Sequence, residues 1–259
     1  MAKWVSVRVT QNLWFKFWQD CQRLPKQVWQ RWATTLAIGF VPSAVVTLAI
    51  TYFARQAQSS WLQAWDEKWL PIVIDTLPLT FSSSITWESP GNSIGALVVA
   101  LVFVGIMVWQ SRPLAAATGV AAYGLHAALV WIGWGFWNRE RPDLVAGGVA
   151  APALHSFPSG HAIVVITVYG FLAYLWLRAA RSVWERLVVA IAFLLFASRV
   201  ISARLVLGAH WPSDILAGLL IGVMLLTTLI WAYNRAESAL PRQIPSVNLG
   251  REDKGPNSR

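Results

Sequence analysis

Three of the four histidines fall in two short stretches, HSFPSGHA at 155–162 and ARLVLGAHWPSD at 203–214. Beside them stand Arg139, Arg141, Ser159, Gly160, Arg204 and Asp214. Pro158 suits the first turn of a helix, which puts Ser159, Gly160 and His161 at a helix start. A helix start offers unpaired N–H groups and a positive dipole end, both suited to an oxyanion. Gly160 lets the backbone approach closely, Ser159 adds a hydroxyl, and Arg141 and Arg204 make forked bonds to phosphate oxygens. His210 and Asp214 are four apart with Pro212 between them, so a second helix start sets a carboxylate beside an imidazole. That fixes the tautomer and frees the other nitrogen to attack, while His161 protonates a leaving oxygen. Such a pair also serves simply as a helix cap; the weight comes from three patterns that each supply a different part of one reaction, phosphoryl transfer. Zinc is the competing chemistry. It wants three or four close ligands, and the arginines repel it, so we expect no metal and no cofactor.

Arg139 is the remaining cation near the first cluster. Residues two apart in an extended loop point the same way, so Arg139 is expected either to add a third positive charge to the phosphate site or to anchor at the headgroups. His155 is open between loop and pocket rim. His126, in the middle of an apolar run, reads as a packing or interhelical hydrogen-bonding residue.

The elements around these clusters belong in hydrocarbon. Of 259 residues, 56% are hydrophobic and 13% charged, against about 25% charged in soluble domains, and the mean hydropathy is +0.49. Trp32–Ala54, Ser89–Ser111 and Ile215–Asn234 contain no Asp, Glu, Lys, Arg or His. Pro113–Asn138 and Ser159–Leu177 contain no Asp, Glu, Lys or Arg and one histidine each, His126 and His161, and Leu187–Leu207 carries Arg199 and Arg204. Each is long enough to cross a bilayer, so we expect an all-α polytopic membrane protein with six spans and interfacial helices. Three parts follow: a basic, aromatic interfacial segment 1–31, a membrane domain 32–234, and a polar, disordered tail 235–259. WLQAWDEKWL sets Trp61, Trp65 and Trp69 four apart, one stripe expected to lie flat on the membrane surface.

Lys3, Arg8, Lys16, Arg23, Lys26 and Arg31 precede the first span, and Arg112, Arg178, Arg181 and Arg186 share its side. The basic bias places both termini in the cytoplasm and the clusters on the opposite face; we expect the inner membrane of a bacterium. The net charge of +9 then suits anionic lipid headgroups, and no motif for nucleic acid accompanies it. Cys21 is the only cysteine and allows no intrachain disulfide.

Arg141-Pro142, then Pro158-Ser159-Gly160-His161, then Arg204, His210 and Asp214 resemble the three signatures of the type-2 phosphatidic acid phosphatase superfamily, which includes vanadium haloperoxidases. The resemblance covers roughly 90–235. It implies a lipid phosphatase with His210 as nucleophile, Asp214 as its partner and His161 as acid. Arg141, Ser159, Gly160 and Arg204 would hold phosphate, without metal, from a phospholipid or polyprenyl phosphate entering from the bilayer. Two positions depart from the pattern: Trp134 stands where the family has Lys, and Ala203 where it has Ser. Alternatives are a lipid phosphotransferase with the same site and a non-catalytic lipid-binding or transport protein.

Overall fold

The computed structural model describes residues 2–145 and 155–240, with side chains from residue 13 onward. The tail beyond 240, the aromatic side chains before 13 and the segment 146–154 lie outside the described residues. Among the described residues the regular structure is helical throughout: α1 (Ala2–Arg23), α2 (Lys26–Ala57), α3 (Gln63–Thr76), α4 (Phe81–Glu88), α5 (Ser93–Trp109), α6 (Pro113–Phe136), α7 (Gly160–Val164), α8 (Gly170–Ala179), α9 (Val183–Val206) and α10 (Pro212–Glu237). Five helical runs are long and apolar enough to cross a bilayer: Lys26–Thr76, Pro113–Phe136, Gly160–Ala179, Val183–Val206 and Pro212–Glu237. Phe81–Gly91 and Ser93–Trp109, bent by 47°, make a sixth if taken as one span.

α10 is the centre of the bundle and packs against α2, α6, α7 and α8. Its buried stripe Ile215, Gly218, Ile221, Leu225, Leu229, Ala232 and Ala236 follows the three-and-four spacing of one helix face. The facing side of α2 is a row of small residues. Thr35, Ser43, Thr47 and Thr51 are buried, and each hydroxyl donates to the carbonyl four residues back. With their hydroxyls satisfied inside the helix, these side chains let backbones come close, the usual basis of helix association in lipid. A Cβ on Gly39 would lie 2.4 Å from Thr228 Cγ2.

Two elements differ from the sequence reading. Instead of a separate surface helix, Trp61–Trp69 continue α2 through a π-helical turn, Gln58–Leu62, into α3. Asp66 and Leu70 are fully buried and Leu62 nearly so, against exposed Trp61 and Trp69. The tryptophan stripe faces outward because the stripe one residue further on, Leu62-Asp66-Leu70, is the one that docks. The second expected span begins not at Ser89 but after a short 3-10 turn, Ser89–Gly91, with Asn92 capping α5 by accepting from Gly95 N–H at 2.7 Å.

Candidate active site

The ends of four helices meet at one end of the bundle. α6 stops at Phe136, and an extended segment carries Arg139 and Arg141. α7 starts after Ser159, α9 ends just after Arg204, and α10 starts at Pro212 with Asp214 in its first turn. The two signature helices are tied at their starts, since Ser159 N–H donates to the Asp214 carbonyl at 3.1 Å. Pro158 sits before the cap rather than in the first turn, and the Ser159 side chain is itself the N-cap, accepting from Ala162 N–H.

Arg141, Gly160, His161, Arg204 and His210 line one cavity of about 300 Å³. Its longest wall is a single face of α6, from Tyr123 through His126, Ala127, Val130 and Trp131 to Trp134, about 16 Å at 1.5 Å per residue. The cavity therefore runs from the arginines along α6, with exposed Ser93 and Trp131 on its rim. The His161 and His210 rings both line it, edge to face with centroids 6.4 Å apart.

His210 is 2% exposed, and its Nδ1 lies 3.5 Å from Asp214 Oδ2. That is an ion-pair distance at the outer edge of hydrogen bonding. Burial lowers the His210 pKa from 6.5, with Asp214 opposing the shift and Arg204 and Arg141 adding to it. The imidazole is thus neutral near pH 7, the form that has a lone pair to give. Burial likewise lowers the Arg141 pKa from its ordinary value, against the pull of Asp214 and Glu88.

Asp214 is held by three donors besides His210. Its Oδ2 accepts from Trp211 N–H at 2.8 Å and from the Ser156 hydroxyl, and its Oδ1 accepts from Arg139 Nη1 at 2.6 Å. This is where the structure corrects the expectation for Arg139. Its guanidinium is 1% exposed and lies between two carboxylates, with Nη2 2.7 Å from Asp66 Oδ2 and a further bond to Ser213. Trp137 and Trp211 flank it at 5.2 and 5.4 Å. Arg139 does not line the cavity; two buried carboxylates and two aromatic faces claim it before any phosphate can. Ser159 is also fully buried rather than on the cavity wall, its hydroxyl engaged in the cap.

Trp134, at the position of the family Lys, forms part of the wall. It donates from Nε1 to the Pro158 carbonyl at 3.3 Å and packs on His155 with ring centroids 5.2 Å apart. His155 stays behind that indole and is not part of the lining. His126, read as a packing residue, is on the cavity wall, with Tyr123 4.9 Å away and its Nδ1 buried without a partner.

Two acidic residues were not found from the sequence. Asp66 braces Arg139 as above and also accepts from Ser213 N–H at 2.9 Å. Glu88 Oε2 lies 2.6 Å from Arg204 Nη1 and 3.1 Å from His161 Nε2. Among the described residues no group of three or more His, Cys, Asp or Glu is placed to hold a metal ion.

The family model of the PAP2 superfamily matches residues 37–238. A solved structure similar to this one is a transmembrane PAP2 type phosphatidylglycerolphosphate phosphatase from Bacillus subtilis, 20% identical over 78% of this chain and 98% of that one, with a TM-score of 0.61. Aquifex aeolicus LpxE is 19% identical over 64% of this chain and 93% of that one, with a TM-score of 0.49. No curated protein matches significantly.

Proposed function

The chain belongs to the PAP2 superfamily, and on that premise we propose that it is an integral-membrane phosphatase acting on a lipid phosphomonoester or diphosphate. Phosphatidate, phosphatidylglycerophosphate and polyprenyl diphosphates are the candidate substrates. One observation carries the reading: His161, His210, Arg141 and Arg204 share one cavity, with His210 backed by a carboxylate that three other donors hold in place.

The steps follow from that arrangement. Arg141, Arg204 and the backbone at Gly160 hold the phosphoryl oxygens, where they offset the charge that spreads in transit. Neutral His210 attacks phosphorus while the bond to the lipid oxygen breaks, and His161 gives its proton to that oxygen. The lipid alcohol leaves from a monoester, or the lipid monophosphate from a diphosphate, and a phosphohistidine remains. Water then attacks the phosphorus, His161 takes the water's proton, and free phosphate departs with His210 regenerated.

The experiment is phosphate release by purified protein across phosphatidate, phosphatidylglycerophosphate, lysophosphatidate and undecaprenyl diphosphate. Turnover of at least one is expected, with loss in His210→Ala and inhibition by vanadate, which mimics the five-coordinate phosphoryl state. A folded His210→Ala protein that still releases phosphate at the parent rate overturns the covalent route. Inactivity of the parent on all four lipids overturns the phosphatase reading as stated.

A further inference from the structure

We propose that Glu88 is the positioning residue of the general acid, supplying the negative charge that lets His161 hold a proton beside two arginines; this rests on the phosphatase reading above. A general acid must enter the reaction protonated. The groups facing His161 oppose that. Arg204 comes from α9, Arg141 from the segment after α6, and His210 from the connection between α9 and α10. From α6 the cavity receives Tyr123 and His126, neither of them anionic. Asp214 and Asp66 are behind His210 and are bound to Arg139. That leaves Glu88 as the carboxylate in contact with the imidazole, at 3.1 Å from Nε2. A carboxylate at that distance favours the charged ring, and the same oxygen takes up part of the positive charge of Arg204 at 2.6 Å.

The local fold holds this contact in place. α4 ends at Glu88 and the Ser-Pro-Gly turn follows. Tyr169, in the π-helical turn between α7 and α8, donates its hydroxyl to the Pro90 carbonyl at 2.7 Å. A Cβ on Gly91 would lie 2.7 Å from His161 Cδ2, so the turn's backbone rests against the ring. Glu88 thus grips the imidazole at one nitrogen while the turn covers its carbon edge.

Leaving-group dependence separates this role from a merely structural one. A lipid alkoxide needs a proton to depart; p-nitrophenolate does not. In Glu88→Gln, kcat/KM on a short-chain phosphatidate should fall about a hundredfold, the low end of a general acid's contribution. On p-nitrophenyl phosphate it should stay within about threefold. The lipid profile should also change with pH. Without the carboxylate the proton leaves His161 more readily, so the alkaline limb of kcat/KM moves to lower pH. Glu88→Asp, which keeps the charge on a shorter stem, should restore part of the lipid activity.

Equal losses on both substrates would overturn the proposal, since they assign Glu88 to the fold or to phosphate binding. A gain on both would overturn it too, because Glu88 would then be an anion that substrate displaces. His161→Ala is the control for the underlying reading. If it shows no leaving-group dependence, His161 is not the acid and Glu88 has nothing to position. If the parent turns over neither substrate, it is the phosphatase reading that has failed.

Discussion

Arg139 and Arg141 are two residues apart in one extended stretch, yet their guanidinium groups do different work. Arg141 faces the cavity, whereas Arg139 is closed between Asp66 and Asp214. Removing a partner from a buried charge group costs about 3–5 kcal/mol. Arg139→Ala should therefore lower the melting temperature in detergent and release the carboxylate that orients His210. Trp134→Lys should not restore activity in that background, because Trp134 is on the cavity wall rather than beside Asp214; a recovery to near the parent rate would return Arg139 to the phosphate site. His210 carries its own pH prediction. Its pKa is held below 6.5, and attack needs the neutral ring. As pH falls, the neutral form persists to below 6.5, so the acid limb of kcat/KM should have its midpoint under that value. A midpoint clearly above 6.5 would mean that the buried environment inferred for His210 is absent in solution. The signature residues were legible in the sequence because short fixed spacings at helix starts determine them. Asp66 and Glu88 were not. Each meets its partner 73 residues away, and a charge near an apolar run reads the same whether it anchors at headgroups or turns inward.

At the scale of elements, the site depends on how closely α7 and α10 cross. A Cβ on Gly218 would lie 2.7 Å from the Ser159 carbonyl oxygen and 2.8 Å from Ala162 Cβ. Neither is the free end of a flexible side chain, so the helices must separate. Gly218→Ala should cost about 1–3 kcal/mol of stability. It should also lower kcat/KM by about tenfold or more, because it moves the start of α10 relative to His161, and misplacements of about 1 Å are felt strongly at reacting groups. Gly105→Ala is the control. It meets nothing within 4 Å, so it should leave kcat/KM unchanged and should not lower stability, since alanine is the better helix former. Equal behaviour of the two variants would show that the crossing tolerates slack. The apolar runs were legible as spans since their length and lack of charge suffice, but their ends were not. The π-helical turn that carries α2 into α3 and the 47° bend before α5 accompany the contacts of Asp66 with Arg139 and Ser213 and of Glu88 with His161 and Arg204, and local composition holds no record of those partners.

For the molecule as a whole, the bundle has two unlike ends separated by an apolar belt. Ile38, Val45, Leu101, Val188, Leu195 and Val223 are among many large apolar side chains exposed around it, a surface that only lipid tails cover without cost. One end holds the cavity, at the C-terminal ends of α6 and α9 and the starts of α7 and α10. The other holds Arg112 before α6, Arg178 and Arg181 around the end of α8, Arg186 in α9 and Arg235 in α10, with Lys26 and Arg31 at the start of α2. Because Lys and Arg are retained on the cytoplasmic side, the cavity end should face away from the cytoplasm. Two exposed positions test this, Asp143 beside the cavity segment and Ser238 just past α10. In a Cys21→Ser background, Asp143→Cys should react with a membrane-impermeant maleimide in intact cells, and Ser238→Cys only after lysis. The opposite pattern would turn the molecule over. It would place the arginine-lined cavity at the cytoplasmic leaflet, where newly made lipid phosphates are present, and the substrate panel would then have to be drawn from that leaflet rather than from the outer one.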